Sequence, residues 1–79
     1  MINNRKKYDY SKLLGRIKEK FDTREKLVPN ISISITSLNL RLTNALQFNQ
    51  QDIEELCEEL EIEKKEIPDY FFKEKVRKK

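Results

Sequence analysis

Two apolar stripes of helical period bracket this chain and set most of what it can fold into. Tyr10, Leu13, Leu14, Ile17 and Phe21 fall at i, i+3, i+4, i+7 and i+11, and Ile53, Leu56, Cys57 and Leu60 at i, i+3, i+4 and i+7. Such spacing gathers apolar side chains on one side of a helix, and each face must then be covered by another element. In 79 residues, 37% of them hydrophobic, both faces have to share one core. The expectation is an all-α, compact domain of four or five helices spanning residues 9–72, with a flexible basic arm over 1–8 and a basic tail over 73–79.

Local signals place the elements. Asp9 or Ser11 can cap the first helix. Gly15 inside it costs up to ~1 kcal/mol against Ala, so either another backbone packs closely there, the favoured reading, or the glycine is simply tolerated. Asp22 stands three before Glu25, the spacing of a capping box, so a second helix is expected from Arg24. Pro29 should leave that helix short or kinked. Asn49 can cap the last long helix, whose early acids Asp52, Glu54 and Glu55 suit the helix dipole. Pro68 is expected to end regular structure, ahead of the aromatic cluster Tyr70, Phe71 and Phe72.

The middle of the chain is ambiguous. ISISIT and SLNLRL, residues 31–42, alternate strictly enough for two strands, although Thr36-Ser37 is a poor two-residue hairpin turn. The same residues also carry a helical stripe, Ile35, Leu38, Leu42 and Leu46, with Ser34 as its cap. Periodicity alone leaves both readings open.

Composition removes most chemistries. The chain has no His, one Cys and one Gly. A His or Cys metal cage, a Cys-His dyad, a Ser-His-Asp triad and a Gly-rich phosphate loop are thereby excluded, and no cofactor is expected. The acid pairs of the last helix fall on its solvent face with no pocket to shift their pKa values, so the chain is read as no enzyme. A lone Cys57 forms no internal disulfide and fits a reducing, cytoplasmic setting. No apolar run reaches the ~20 residues of a membrane span, and no signal peptide follows the basic start.

The net charge of +3 hides a partition. Residues 1–26 carry nine bases and four acids, residues 27–51 a single charge, Arg41, among twelve Ser, Thr, Asn and Gln, and residues 52–79 ten acids and seven bases. A basic arm with a polar middle can follow a phosphate backbone and reach groove edges, while the acidic segment faces away.

From Thr23 to Thr43 the order is a capped short helix, a break at Pro29 to Ile33 and a helix opening at Ser34, which is a helix-turn-helix outline. Together with DYSKLLGRIKEKFDT at 9–23, SLNLRLTN at 37–44, FNQQDIEELCEEL at 48–60 and EIPDYFFKEKV at 66–76, it resembles the small Cro-like regulators of phages of Gram-positive bacteria, within the Cro/CI helix-turn-helix class. The resemblance implies a cytoplasmic repressor that docks one recognition helix in the major groove of operator DNA, as a homodimer. Carried over, it places Ser34, Ile35, Thr36 and Asn39 toward base edges and Arg24 at a phosphate. Helical geometry agrees in setting Thr36, Asn39, Leu40 and Thr43 opposite Leu38 and Leu42. Asn39 suits adenine, Thr36 a thymine methyl, and Lys26, Arg41 and Asn44 join Arg24 as phosphate contacts.

A second reading starts from three departures: Pro29 inside the second helix, Ser32 where the family's turn usually holds Gly and therefore positive φ, and a recognition face poor in Lys, Arg and Gln. On the same scaffold they suit an antirepressor that binds a repressor protein partner, through the acidic Glu54, Glu55 and Glu58 and the aromatic Tyr70, Phe71 and Phe72. A small-molecule substrate fits neither reading.

Overall fold

The computed structural model describes residues 7–75. Among them are five α-helices, α1 Ser11–Phe21, α2 Arg24–Leu27, α3 Ile35–Leu42, α4 Gln50–Leu60 and α5 Ile67–Phe71, with 3-10 turns at Val28–Asn30 and Lys64–Glu66. The all-α expectation holds, and residues 31–42 contain no hairpin. Most of the basic arm and tail, residues 1–6 and 76–79, lies outside the described residues.

Helix α1 begins where Oδ1 of Asp9 accepts from the Ser11 N–H at 2.9 Å and from its hydroxyl at 2.6 Å. It ends at Asp22, whose φ of 72° and ψ of −47° turn the chain sharply, with the Thr23 N–H donating to the Phe21 carbonyl at 2.8 Å. Asp22 is therefore a turn residue. The cap of α2 is Thr23, whose hydroxyl accepts from the Lys26 N–H at 3.2 Å, and the expected Asp22–Glu25 box does not form. Pro29 converts the chain from α-helix to a 3-10 turn, which limits α2 to four residues.

Helix α3 is fixed at both ends by side chains suited to the task. Ser34 is extended and its Oγ accepts from the Ser37 N–H at 3.1 Å. At the other end Asn44 takes φ 70°, and the N–H groups of Asn44 and Ala45 donate to the carbonyls of Arg41 and Leu40, a Schellman closure with Asn in the left-handed position. Two local caps favour the helix where alternation alone is neutral. Helix α4 has a complete capping box between Asn49 and Asp52. Arg16 of α1 donates through Nε to the carbonyl of Leu60 at 2.8 Å and through Nη2 to that of Glu61 at 3.1 Å, closing the other end of α4. Pro68 stands in the first turn of α5 and opens a helix instead of ending structure, since proline lacks only an N–H that the first turn leaves unpaired anyway.

The shared core contains Leu13 and Ile17 from α1, Leu27, Leu38, Leu42, Leu56 and Leu60, with Tyr10, Ile62, Tyr70 and Phe71. Phe48, in the connection to α4, stacks edge-on against Tyr10 and Phe71 with centroids 5.3 and 5.4 Å away. The two chain ends meet: Tyr8 and Glu74 form an isolated antiparallel bridge, and the Asp9 N–H donates to the Lys73 carbonyl at 2.7 Å. Within the expected arm, Tyr8 is thus part of the folded body. Gly15 does not mark a close approach, because a Cβ built there meets nothing within 4 Å. No helix of the described residues is long and apolar enough to cross a membrane.

Candidate nucleic-acid interface

The residues that the sequence nominates for contact lie on α3 and at the start of α2. Burying Leu38 and Leu42 turns the opposite side of α3 outward, so Thr36, Leu40 and Thr43 are exposed and Asn39 is half-buried on the flank. Ser34 is exposed at the helix start, and Ile35 is half-buried. The Thr43 hydroxyl donates back to the carbonyls of Asn39 and Leu40, at 3.0 and 3.2 Å, which leaves its methyl and its lone pairs for an outside partner. Between Glu25 and Asp52 there is no acid, so this face carries no negative side chain of its own.

Arg24 and Asn39 come together across the turn. Nη1 of Arg24 donates to Oδ1 of Asn39 at 2.7 Å, with both side chains partly buried. Lys26 is exposed and its Nζ lies 3.5 Å from Asp22 Oδ2, a solvent-screened i,i+4 pair that releases its ammonium at little cost.

Two residues nominated for phosphate do other work. Arg41, proposed for phosphate, points inward: its Nε donates to Asp52 Oδ2 at 2.7 Å and its Nη1 to the Ser37 carbonyl at 3.2 Å, and the two charged side chains are 14% and 5% exposed. A cation so enclosed fixes α3 against the start of α4. Asp52 Oδ2 also accepts from the Asn49 N–H at 3.1 Å, so one carboxylate serves the ion pair and the helix cap. The position was legible in part, because Arg41 lies three residues after Leu38 and next to Leu42, at the border of the buried stripe. Asn44, also proposed for phosphate, grips the chain start: its Oδ1 accepts from the Tyr8 N–H at 2.9 Å and its Nδ2 donates to the Tyr8 carbonyl at 3.0 Å.

Glu55, proposed as part of a partner surface, is engaged within the chain. Its carboxylate accepts from the Ser32 N–H at 2.7 Å and the Ser32 hydroxyl at 2.6 Å, and from Gln51 Nε2 at 3.2 Å. These bonds, led by the hydroxyl, hold its carboxyl below the ordinary 4.5. Ser32 is not among the positive-φ residues, so the turn needs no Gly and is held by Glu55 instead. Nothing in the local sequence signals this latch, which spans 23 positions. Of the other residues in the partner reading, Tyr70 and Phe71 are core, Glu54 and Glu58 are exposed, and Phe72 is 50% exposed.

The geometry is an outward, acid-free helix face with hydroxyl and amide groups, held at both ends and flanked by Arg24. A family model described as "Protein of unknown function (DUF739)" matches residues 6–74. No curated protein matches the chain.

Proposed function

The chain belongs to the DUF739 family of proteins of unknown function, and we propose that it is a DNA-binding transcriptional regulator of the Cro-like helix-turn-helix class, acting as a homodimer on operator DNA in the bacterial cytoplasm. The observation that carries the reading is the outer face of α3. Thr36, Asn39 and Thr43 stand over a buried Leu38–Leu42 pair, with Ser34 at the leading end and Arg24 bonded to the flank at Asn39, and α3 itself carries no acid. An α-helix fits the major groove, and short hydroxyl and amide side chains reach base edges there. Lys26 meets the phosphate backbone, where its charge displaces counterions.

A gel-shift titration with duplex from the region upstream of the gene tests this. A specific complex is expected at low salt, weakened by Thr36→Ala and Asn39→Ala. The absence of a complex, or one indifferent to both substitutions, sinks the reading.

One observation favours the second reading, a modulator that binds a repressor protein. Leu40 is 39% exposed in the middle of the α3 face, and Leu46 and Phe72 are 43% and 50% exposed, which suits an apolar contact. Titration calorimetry against a purified repressor of the Cro/CI class distinguishes the two: heat of binding that Leu40→Ser and Phe72→Ser abolish supports the modulator.

A further inference from the structure

The bond between Arg24 and Asn39 changes what each residue can read. We infer that the two form a single guanine-reading unit, in which Arg24 donates to O6 and N7 of a guanine in the major groove and Asn39 holds the guanidinium in position. The inference rests on the DNA-binding reading above and gives that site its base preference.

The argument is one of donors and acceptors. An Asn amide has one acceptor atom, Oδ1, and a guanidinium has none. Nη1 of Arg24 sits 2.7 Å from that Oδ1, so the main acceptor direction of the pair is spent internally. What remains outward is almost wholly donor: the remaining guanidinium hydrogens and the two on Nδ2 of Asn39. Guanine offers two acceptors on its major-groove edge, whereas adenine offers one acceptor and one donor. Reading adenine would require Oδ1 to take the N6 hydrogen while it still holds Arg24, which sets a cation against the N6 amino group. The pair therefore matches guanine and opposes adenine, so Asn39 acts on the base through Arg24.

Placement supports the same division of roles. Arg24 and Asn39 are both half-buried, and their bond joins the first residue of α2 to the flank of α3. A planar fork held on a rigid neighbour loses little freedom on binding. Lys26, two residues on, is exposed and bonded only loosely to Asp22 at 3.5 Å, as a phosphate contact would be. The resemblance places Arg24 at a phosphate and Asn39 suits adenine by residue type, and the inference drawn from their bond reassigns both.

The test is selection from a duplex library with a randomised core, followed by competition binding on the selected site and its single base-pair variants. Wild type is compared with Arg24→Lys, Asn39→Ala and Asn39→Asp, with thermal melts to show that each variant folds. Wild type should require a G·C pair at one position of each half-site, with replacement by A·T weakening binding about 5- to 150-fold. Arg24→Lys keeps the charge but loses the fork, and should erase that preference while the other positions keep theirs. Asn39→Asp retains an acceptor for Arg24, so it should lower affinity for all duplexes while preserving the preference. Asn39→Ala should reduce the preference. Adenine selected at the position, with dependence on Asn39 and indifference to Arg24→Lys, overturns the inference but not the DNA-binding reading. A guanine preference at that position that Arg24→Lys leaves untouched does the same. A wild type that selects no site at all removes the DNA-binding reading, and this inference with it.

Discussion

Several residues in this chain serve ends that their type alone does not announce, and Glu55 is the clearest. Its carboxylate closes the turn before α3 by accepting from both the N–H and the hydroxyl of Ser32. Because those bonds lower its folded pKa from 4.5, its contribution to stability is present above that pH and is lost as the pH falls through the lower folded value. Asp9 and Glu61 are lowered for comparable reasons, the Ser11 and Lys20 hydrogen bonds respectively, and add to the same acid sensitivity. Thermal melts should therefore show Tm decreasing as the pH drops below about 4.5, with a shallower decrease in Glu55→Gln than in wild type. Equal slopes would contradict the latch. Gly15 is the opposite case, a residue with no visible task. It is exposed within α1, and a Cβ there meets nothing within 4 Å, so Gly15→Ala should stabilise by about 0.5–1 kcal/mol in denaturant unfolding. Caps were legible in single residues, as Ser34 and Asn49 show, because a cap is a contact over three positions. The Ser32–Glu55, Tyr8–Asn44 and Arg24–Asn39 bonds were not, since each joins residues whose nearness only the packed helices create.

At the scale of elements, α3 was the segment that periodicity could not settle. Its alternating ISISITSLNLRL suits a strand as well as a helix. What selects the helix is a Ser cap at one end, an Asn in the left-handed position at the other, and a core that accepts Leu38 and Leu42 together. The two prolines obey the same local physics with different outcomes. Pro29 shortens α2 as expected, while Pro68 proves to be an opening residue because its neighbours Tyr70 and Phe71 pull the next turn into the core. The junction of α3 and α4 rests on the Arg41–Asp52 pair. Arg41→Met should cost about 3 kcal/mol or more, because it leaves the enclosed Asp52 carboxylate without its cation. Adding Asp52→Asn should recover part of that loss, as a double-mutant cycle would record. A cost no larger than that of a surface substitution would show that the pair does not hold the junction.

Across the whole molecule, charge and apolar exposure are distributed unequally. The α4 segment is dense in acids and carries no base, the α3 face carries no acid, and residues near the two chain ends meet at the Tyr8–Glu74 bridge beside Asn44. Such an arrangement favours approach to a polyanion with α3 leading. Binding to duplex DNA should therefore weaken steeply as salt rises, and Lys26→Ala should reduce the slope of log K against log salt by about 0.9, the value of one released counterion. The unequal surface also explains why a functional reading from sequence is coarse: the partition of charge and the outward place of Leu40 are visible in the chain, but the inward turn of Arg41 and the Arg24–Asn39 bond depend on how the helices pack. The central claim, that the outer face of α3 meets DNA, is tested most directly by following backbone amide resonances while a short duplex from the region upstream of the gene is added. The account predicts perturbations concentrated at Ser34 to Thr43 and at Arg24 and Lys26, with Glu54 and Glu58 unmoved. Perturbations confined to α4 or to the surroundings of Phe72, or none at all, would contradict it.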